Sequence, residues 1–107
     1  MFYYEGINDY NDFIMRNGIN TFHEHSNGAG SYFTMLSGHS MSYVGDVWND
    51  KVSSVTIAPR TLIILFSDRN FYGETHRVVN YGNSSKFYTL PRDWSDRTTS
   101  IETYNLA

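Results

Sequence analysis

Two octets carry residue types that could hold a hard cation: "WNDKVSSV" at 48–55 and "WSDRTTSI" at 94–101. Each reads Trp, a polar residue, Asp, a base, one variable residue, a hydroxyl, Ser and a β-branched aliphatic. The order holds over eight positions at a separation of 46 residues, which points to a duplicated unit. The chemistry such residues offer is that of oxygen donors. Ca2+ takes six to eight oxygens from carboxylates, carbonyls, hydroxyls and water. A loop with Asp, then a free carbonyl, then Ser or Thr three residues later can converge them. Asn-Asp and Ser-Asp also initiate turns by bonding their own backbone, so either loop alone reads equally as a turn.

The chain that must position these loops has 107 residues, enough for one domain. It contains no cysteine, which excludes disulfides and thiolate zinc sites. Eleven acids against eight bases give a net charge of −3. The bases Arg16, Lys51, Arg60, Arg69, Arg77, Lys86, Arg92 and Arg97 are scattered singly, so no nucleic-acid surface is expected. No apolar run approaches the roughly 20 residues of a membrane helix, and no signal peptide is visible. The compartment is left open. Nine Tyr, seven Phe and abundant Gly and Asn favour strands joined by tight turns.

Eight strands are expected: 19–25, 31–36, 41–44 and 51–57 in a first unit, then 61–66, 74–79, 86–90 and 98–104 in a second. Residues 58–60 link the units. Each unit runs strand, Gly turn, strand, loop, short strand, Trp-Asp loop, strand. Gly30 precedes Trp48 by 18 residues and Gly73 precedes Trp94 by 21. A repeated four-strand unit predicts an all-β fold of two Greek keys packed as a β-sandwich, 19–57 and 61–104 within a domain of 19–107. Residues 1–18 form an N-terminal extension. Tyr3, Ile7, Tyr10 and Ile14 follow a helical stripe there, so this segment is expected to pack on the domain or to make a homodimer or protein contact.

These residues resemble the βγ-crystallin superfamily in its microbial, calcium-binding form. One signature is the aromatic-x4-aromatic-x-Gly hairpin, present as Phe66, Phe71 and Gly73 in "FSDRNFYG". The other is the calcium signature [ND]-[ND]-x-x-[ST]-Ser. "NDKVSS" (49–54) meets every position, and "SDRTTS" (95–100) departs only at Ser95. The first hairpin, "HEHSNGAG", keeps Gly30 but has His23 and Gly28 at its aromatic positions. The resemblance covers about residues 19–104 and implies two calcium sites of weak to moderate affinity. One would use Asp50, the Lys51 carbonyl, the Ser53 hydroxyl and the Ser67 carbonyl. The other would use Asp96, the Arg97 carbonyl, the Thr99 hydroxyl and the Glu24 carbonyl. Asn49 and Ser95 would shape the loop entrances.

Other candidates read more simply as structure. His23 and His25 could bind a transition metal only if a third ligand such as His39 or His76 converged. Trp48 and Trp94, at matching places before each polar loop, read as core anchors rather than carbohydrate platforms. Phe66, Phe71 and Tyr72 read as hairpin packing. Asn83-Ser84-Ser85 fits a glycosylation sequon. No nucleophile elbow, phosphate loop or zinc-helix motif is present, so no enzyme is expected. The resemblance implies a calcium-braced structural or stress-related protein. The alternative is a non-catalytic binding module of the same fold: an inhibitor, toxin-like factor or adhesin.

Overall fold

The run "TLIILF" is apolar, "THRVV" is rich in β-branched residues, and links rich in Gly, Asn and Ser separate such runs. The computed structural model describes residues 18–106, so the expectations placed on residues 1–17 lie outside it. The strands are β1 (Ile19–His23), β2 (Tyr32–Leu36), β3 (Ser40–Met41), β4 (Ser54–Ile57), β5 (Thr61–Phe66), β6 (Thr75–Asn80), β7 (Lys86–Thr89) and β8 (Ser100–Asn105). A short 3-10 turn, Arg69–Phe71, lies between β5 and β6. All eight expected strands are present. Six are shorter than the sequence suggests, and two of these differ most. "MSYV" contributes only Met41, to a strand of Ser40–Met41, and "KVSSVTI" becomes strand only at Ser54. Residues next to these ends bond across the molecule instead. The Val44 N–H donates to the Thr99 carbonyl at 2.9 Å, and the Val52 carbonyl accepts the Asp96 N–H at 3.0 Å.

Two four-stranded antiparallel sheets form, in the orders β2-β1-β4-β7 and β3-β8-β5-β6. Each Greek key therefore lends its third strand to the other's sheet. β7 pairs with β4, Val55 facing Tyr88, and β3 pairs with β8 through Ser40↔Glu102 and Met41↔Ile101. The inner faces of both sheets supply the core: Phe22, Val55 and Ile57 from one, Ile63, Leu65, Val78 and Ile101 from the other. Burying each such side chain contributes about 1.5–3 kcal/mol. Aromatic contacts extend this core beneath the loops. Phe33 stacks on Phe22 at 4.9 Å and meets Trp48 edge-on at 4.8 Å. In the second unit His76 stacks on Trp94 at 5.7 Å.

The end of the sandwich that carries the linker is closed by buried polar residues whose bonds are satisfied. Asn20 donates to the Met35 carbonyl and accepts the Ala58 N–H, at 3.1 and 2.8 Å. Asn80 donates to the carbonyls of Ile57, Ala58 and Ser84. The opposite end is left to the two polar octets. Among the described residues, no helix is long and apolar enough to cross a membrane.

Candidate functional site

Each octet begins with a turn that its sequence makes readily. The Trp48 and Asn49 N–H groups donate to the Gly45 carbonyl, and those of Trp94 and Ser95 to the Pro91 carbonyl. The next residue bends left-handed: Asp50 has φ 60° and Asp96 φ 61°. Asp tolerates this region better than most residues, because its short polar side chain can bond locally. The bend directs each loop at the other. The Asp50 N–H donates to the Thr98 carbonyl (3.1 Å), and the Asp96 N–H to the Val52 carbonyl (3.0 Å).

The side chains pair in the same crossed manner. Ser53 donates its hydroxyl to Asp96 Oδ1 at 2.9 Å and lies 3.0 Å from Ser95 Oγ. Thr99 donates to Asn49 Oδ1 at 2.9 Å, with Asp50 Oδ1 at 3.4 Å. The expected sets placed each hydroxyl with its own loop's carboxylate. The geometry places it with the carboxylate of the other loop. The reason is the strand exchange, which packs the start of β4 against the 90–96 segment and the start of β8 against the 44–50 segment. Asn49 and Ser95, expected at the loop entrances, bond the opposing hydroxyls directly.

The hairpins complete each half. The Ser53 N–H bonds the His23 carbonyl and the Thr99 N–H the Phe66 carbonyl, both at 2.9 Å. Glu24 and Ser67 thus lie one residue from the point of contact with the hydroxyl-bearing loop. An open depression of about 370 Å³ is lined by Glu24, His25, Ser26, Asp50, Lys51, Ser53, Ser95 and Asp96. Arg97 projects elsewhere: its guanidinium forms an ion pair with Glu74 and lies 5.0 Å from the Trp94 ring centre. The donors brought together are hydroxyl, carboxylate and carbonyl oxygens, a hard set.

Softer metal chemistry finds no such grouping. Among the described residues no three His, Cys, Asp or Glu side chains form a metal-holding group. His23 Nε2 is 2.8 Å from Thr56 Oγ1, and His25 lies beyond the end of β1 and is exposed. Burial lowers the His23 pKa below its ordinary 6.5. Trp94 is buried and Trp48 packs half-buried against the core, as their repeated position suggested. Phe66 and Phe71 meet edge-on at 5.6 Å, but Tyr72 is 70% exposed and adds nothing to hairpin packing.

Comparison with protein-family models and with curated proteins gave no match. Solved structures did. The chain is similar to a βγ-crystallin domain from a structure on the evolution of the eye-lens domain fold, with 24% identity and a TM-score of 0.70 over 85% of this chain and 89% of that one. It is similar to a βγ-crystallin domain from Flavobacterium johnsoniae, with 25% identity and a TM-score of 0.65 over 80% and 93%. A clostrillin double mutant with two introduced histidines, solved in complex with nickel, gives 21% identity and a TM-score of 0.65 over 80% and 97%. Two four-stranded sheets that exchange their third strands, with paired polar loops at one end, make this chain a domain of the βγ-crystallin fold.

Proposed function

We propose that this chain is a non-catalytic, calcium-binding structural or stress-related protein whose two crossed loops each hold one Ca2+. The observation that carries this reading is the reciprocal pairing of Ser53 with Asp96 and of Thr99 with Asn49 and Asp50. Each pair sets a hydroxyl and a carboxylate from different Greek keys side by side, so an ion there braces one unit against the other. The first site takes the Asp96 carboxylate, the Ser53 hydroxyl and the Glu24 and Lys51 carbonyls. The second takes the Asp50 carboxylate, the Thr99 hydroxyl and the Ser67 and Arg97 carbonyls. A cation entering either pair replaces one hydrogen bond by two metal–oxygen contacts. With few charged ligands, affinity is expected in the micromolar range or weaker. At calcium 100-fold above the dissociation constant, one site adds about 2.7 kcal/mol to stability.

The test is calorimetric titration of chelator-stripped protein with Ca2+, with Mg2+ as control. Two binding events are expected. Asp→Asn substitutions are the informative ones, because Asn also tolerates the left-handed backbone and Ala would add strain of its own. Asp96→Asn and Asp50→Asn should each remove one event. The crossed assignment makes a sharper forecast. Ser53→Ala with Asp96→Asn damages one site and leaves one event, whereas Ser53→Ala with Asp50→Asn damages both. Full stoichiometry in both single Asp variants would reject the calcium sites. One event surviving in the Ser53/Asp50 double variant would reject the crossing.

A further inference from the structure

The two lateral openings of the sandwich differ. On one side run β6 and β7, of six and four residues; on the other run β2 and β3, of five and two. β3 covers β8 only at Ile101 and Glu102. Its shortness leaves a groove of about 420 Å³ between the two edge strands, with Ile19, Met35, Leu36, His39 and Met41 among its walls. Ile19, in register with Leu36, remains 42% exposed.

The sequence places a candidate occupant at the rim. Gly18, the first described residue, accepts the Ser37 N–H at 3.2 Å, and Ser37 directly follows Leu36 of the groove wall. Gly18, to which residues 1–17 are joined, therefore lies beside the groove. Residues 1–17 include Phe2, Tyr3, Tyr4, Ile7, Tyr10, Phe13, Ile14 and Met15, a density of apolar side chains that favours burial. Even a fully extended chain puts Phe13 within about 17 Å of Gly18. Tethering so close gives an effective concentration on the order of millimolar, which favours this segment over a free competitor.

We propose that Phe13, Ile14 and Met15 of the chain's own N-terminal segment dock in the groove between β2 and β3. There they cover the edge that the short third strand leaves open. The proposal stands independently of the calcium sites.

The absence of native cysteine allows a direct test. In the full chain, Cys is introduced at Phe13, Ile14 or Met15, each paired with Met41→Cys. The control pairs Ile14→Cys with Phe87→Cys on β7, at the far edge of the same sheet as β2. Under mild oxidation at least one Met41 pair should form an intramolecular disulfide, giving a monomer with altered mobility that reverts on reduction. The control should not. A predominantly covalent dimer would overturn the proposal by assigning the groove to a second copy. No crosslink in all three pairs, or equal crosslinking of the control, would also overturn it. Non-covalently, Ile14→Asp and Met41→Asp should each lower the melting temperature, and the double variant should fall less than the sum of the two. Additive losses would contradict the contact.

Discussion

The two hairpins reach the same backbone with different side chains. Glu24 and Ser67 each donate their N–H to a carbonyl seven residues on, at 3.0 and 2.9 Å, and their side chains accept the N–H of that same residue, at 3.1 and 2.9 Å. Ser54 and Ser100 donate their hydroxyls to the carbonyls of His25 and Asp68, at 2.6 and 2.5 Å. Gly30 and Gly73 both lie left-handed, at φ 85° and 88°. Yet the second hairpin closes Phe71 over Phe66, and the first has Gly28 and His23 in those places. There the packing comes from elsewhere. Phe87 of β7 lies 5.8 Å from the His23 ring, and a Cβ at Gly28 would come within 3.2 Å of Phe87 Cε1. The glycine and the hydrogen bonds set the turn. The aromatic filling is exchangeable, and the neighbouring Greek key can supply it.

Dependence of each unit on the other is the first part of this comparison to break, and the effect is the largest expected. Among the described residues, β3 pairs only with β8, and β7 only with β4. Each Greek key alone spans only 39 or 44 residues (19–57 and 61–104), close to the size below which a disulfide, a metal or a partner is usually needed to fold. Expressed separately at the linker, neither half should show a cooperative thermal transition. Mixing the two should restore one. A cooperative transition in either half alone would mean that the strand exchange is not what completes the units.

Next in size are the two glycines, whose surroundings differ. A Cβ at Gly73 would lie 2.2 Å from Ser67 Oγ and 2.7 Å from Asp68 Oδ2. Ser67 is short and already accepts the Glu74 N–H, so its oxygen cannot move far without breaking that bond. Gly73→Ala adds this clash to left-handed strain and should cost about 1–3 kcal/mol. At Gly30 the nearest atoms belong to the longer side chains of His25 and Glu24; the His25 ring can swing away, and Glu24, which also accepts the Ser31 N–H, has more torsions through which to keep that bond while yielding space. Gly30→Ala should cost about 1 kcal/mol, close to the backbone term alone. Urea denaturation of both variants, without metal, measures the gap. Equal losses would show that backbone conformation outweighs the local clash in both hairpins.

Much of this architecture was readable from the sequence because local signals carry it. Alternation and Gly-rich turns located all eight strands. The octets located the loops, since Trp, Asp and the hydroxyls recur in order. The crossing was not readable. Whether Ser53 faces Asp50 or Asp96 depends on which sheet takes the third strand, and no residue within the octet encodes that. The two-residue β3 was also hidden: "MSYV" has strand composition, but Val44 is drawn into a bond with Thr99. Nor does anything near Gly28 in the sequence announce Phe87, which arrives through the same exchange.

The smallest effect concerns His23, where the first hairpin departs most from the second. Its Nε2 lies beside Thr56 Oγ1, while Nδ1 is buried with no hydrogen-bond partner among the described residues. Neutral imidazole tolerates this; a second proton on Nδ1 would be buried without an acceptor. Burial accordingly lowers the His23 pKa below 6.5. The unfolded chain therefore binds the proton more readily than the fold does. The His23 contribution is present above pH 6.5 and is lost as the pH falls through the lowered folded value. His23→Phe installs the residue type that Phe66 provides in the second hairpin and removes the titration. With chelator present, the melting temperature of the native chain should fall between pH 6.5 and 5.5 more steeply than that of the variant. Parallel curves would place the acid sensitivity at another group and leave His23 as a neutral filler. A flatter curve for His23→Phe would make the first hairpin the acid-labile half of a duplicated pair, through one ring and one unmet nitrogen.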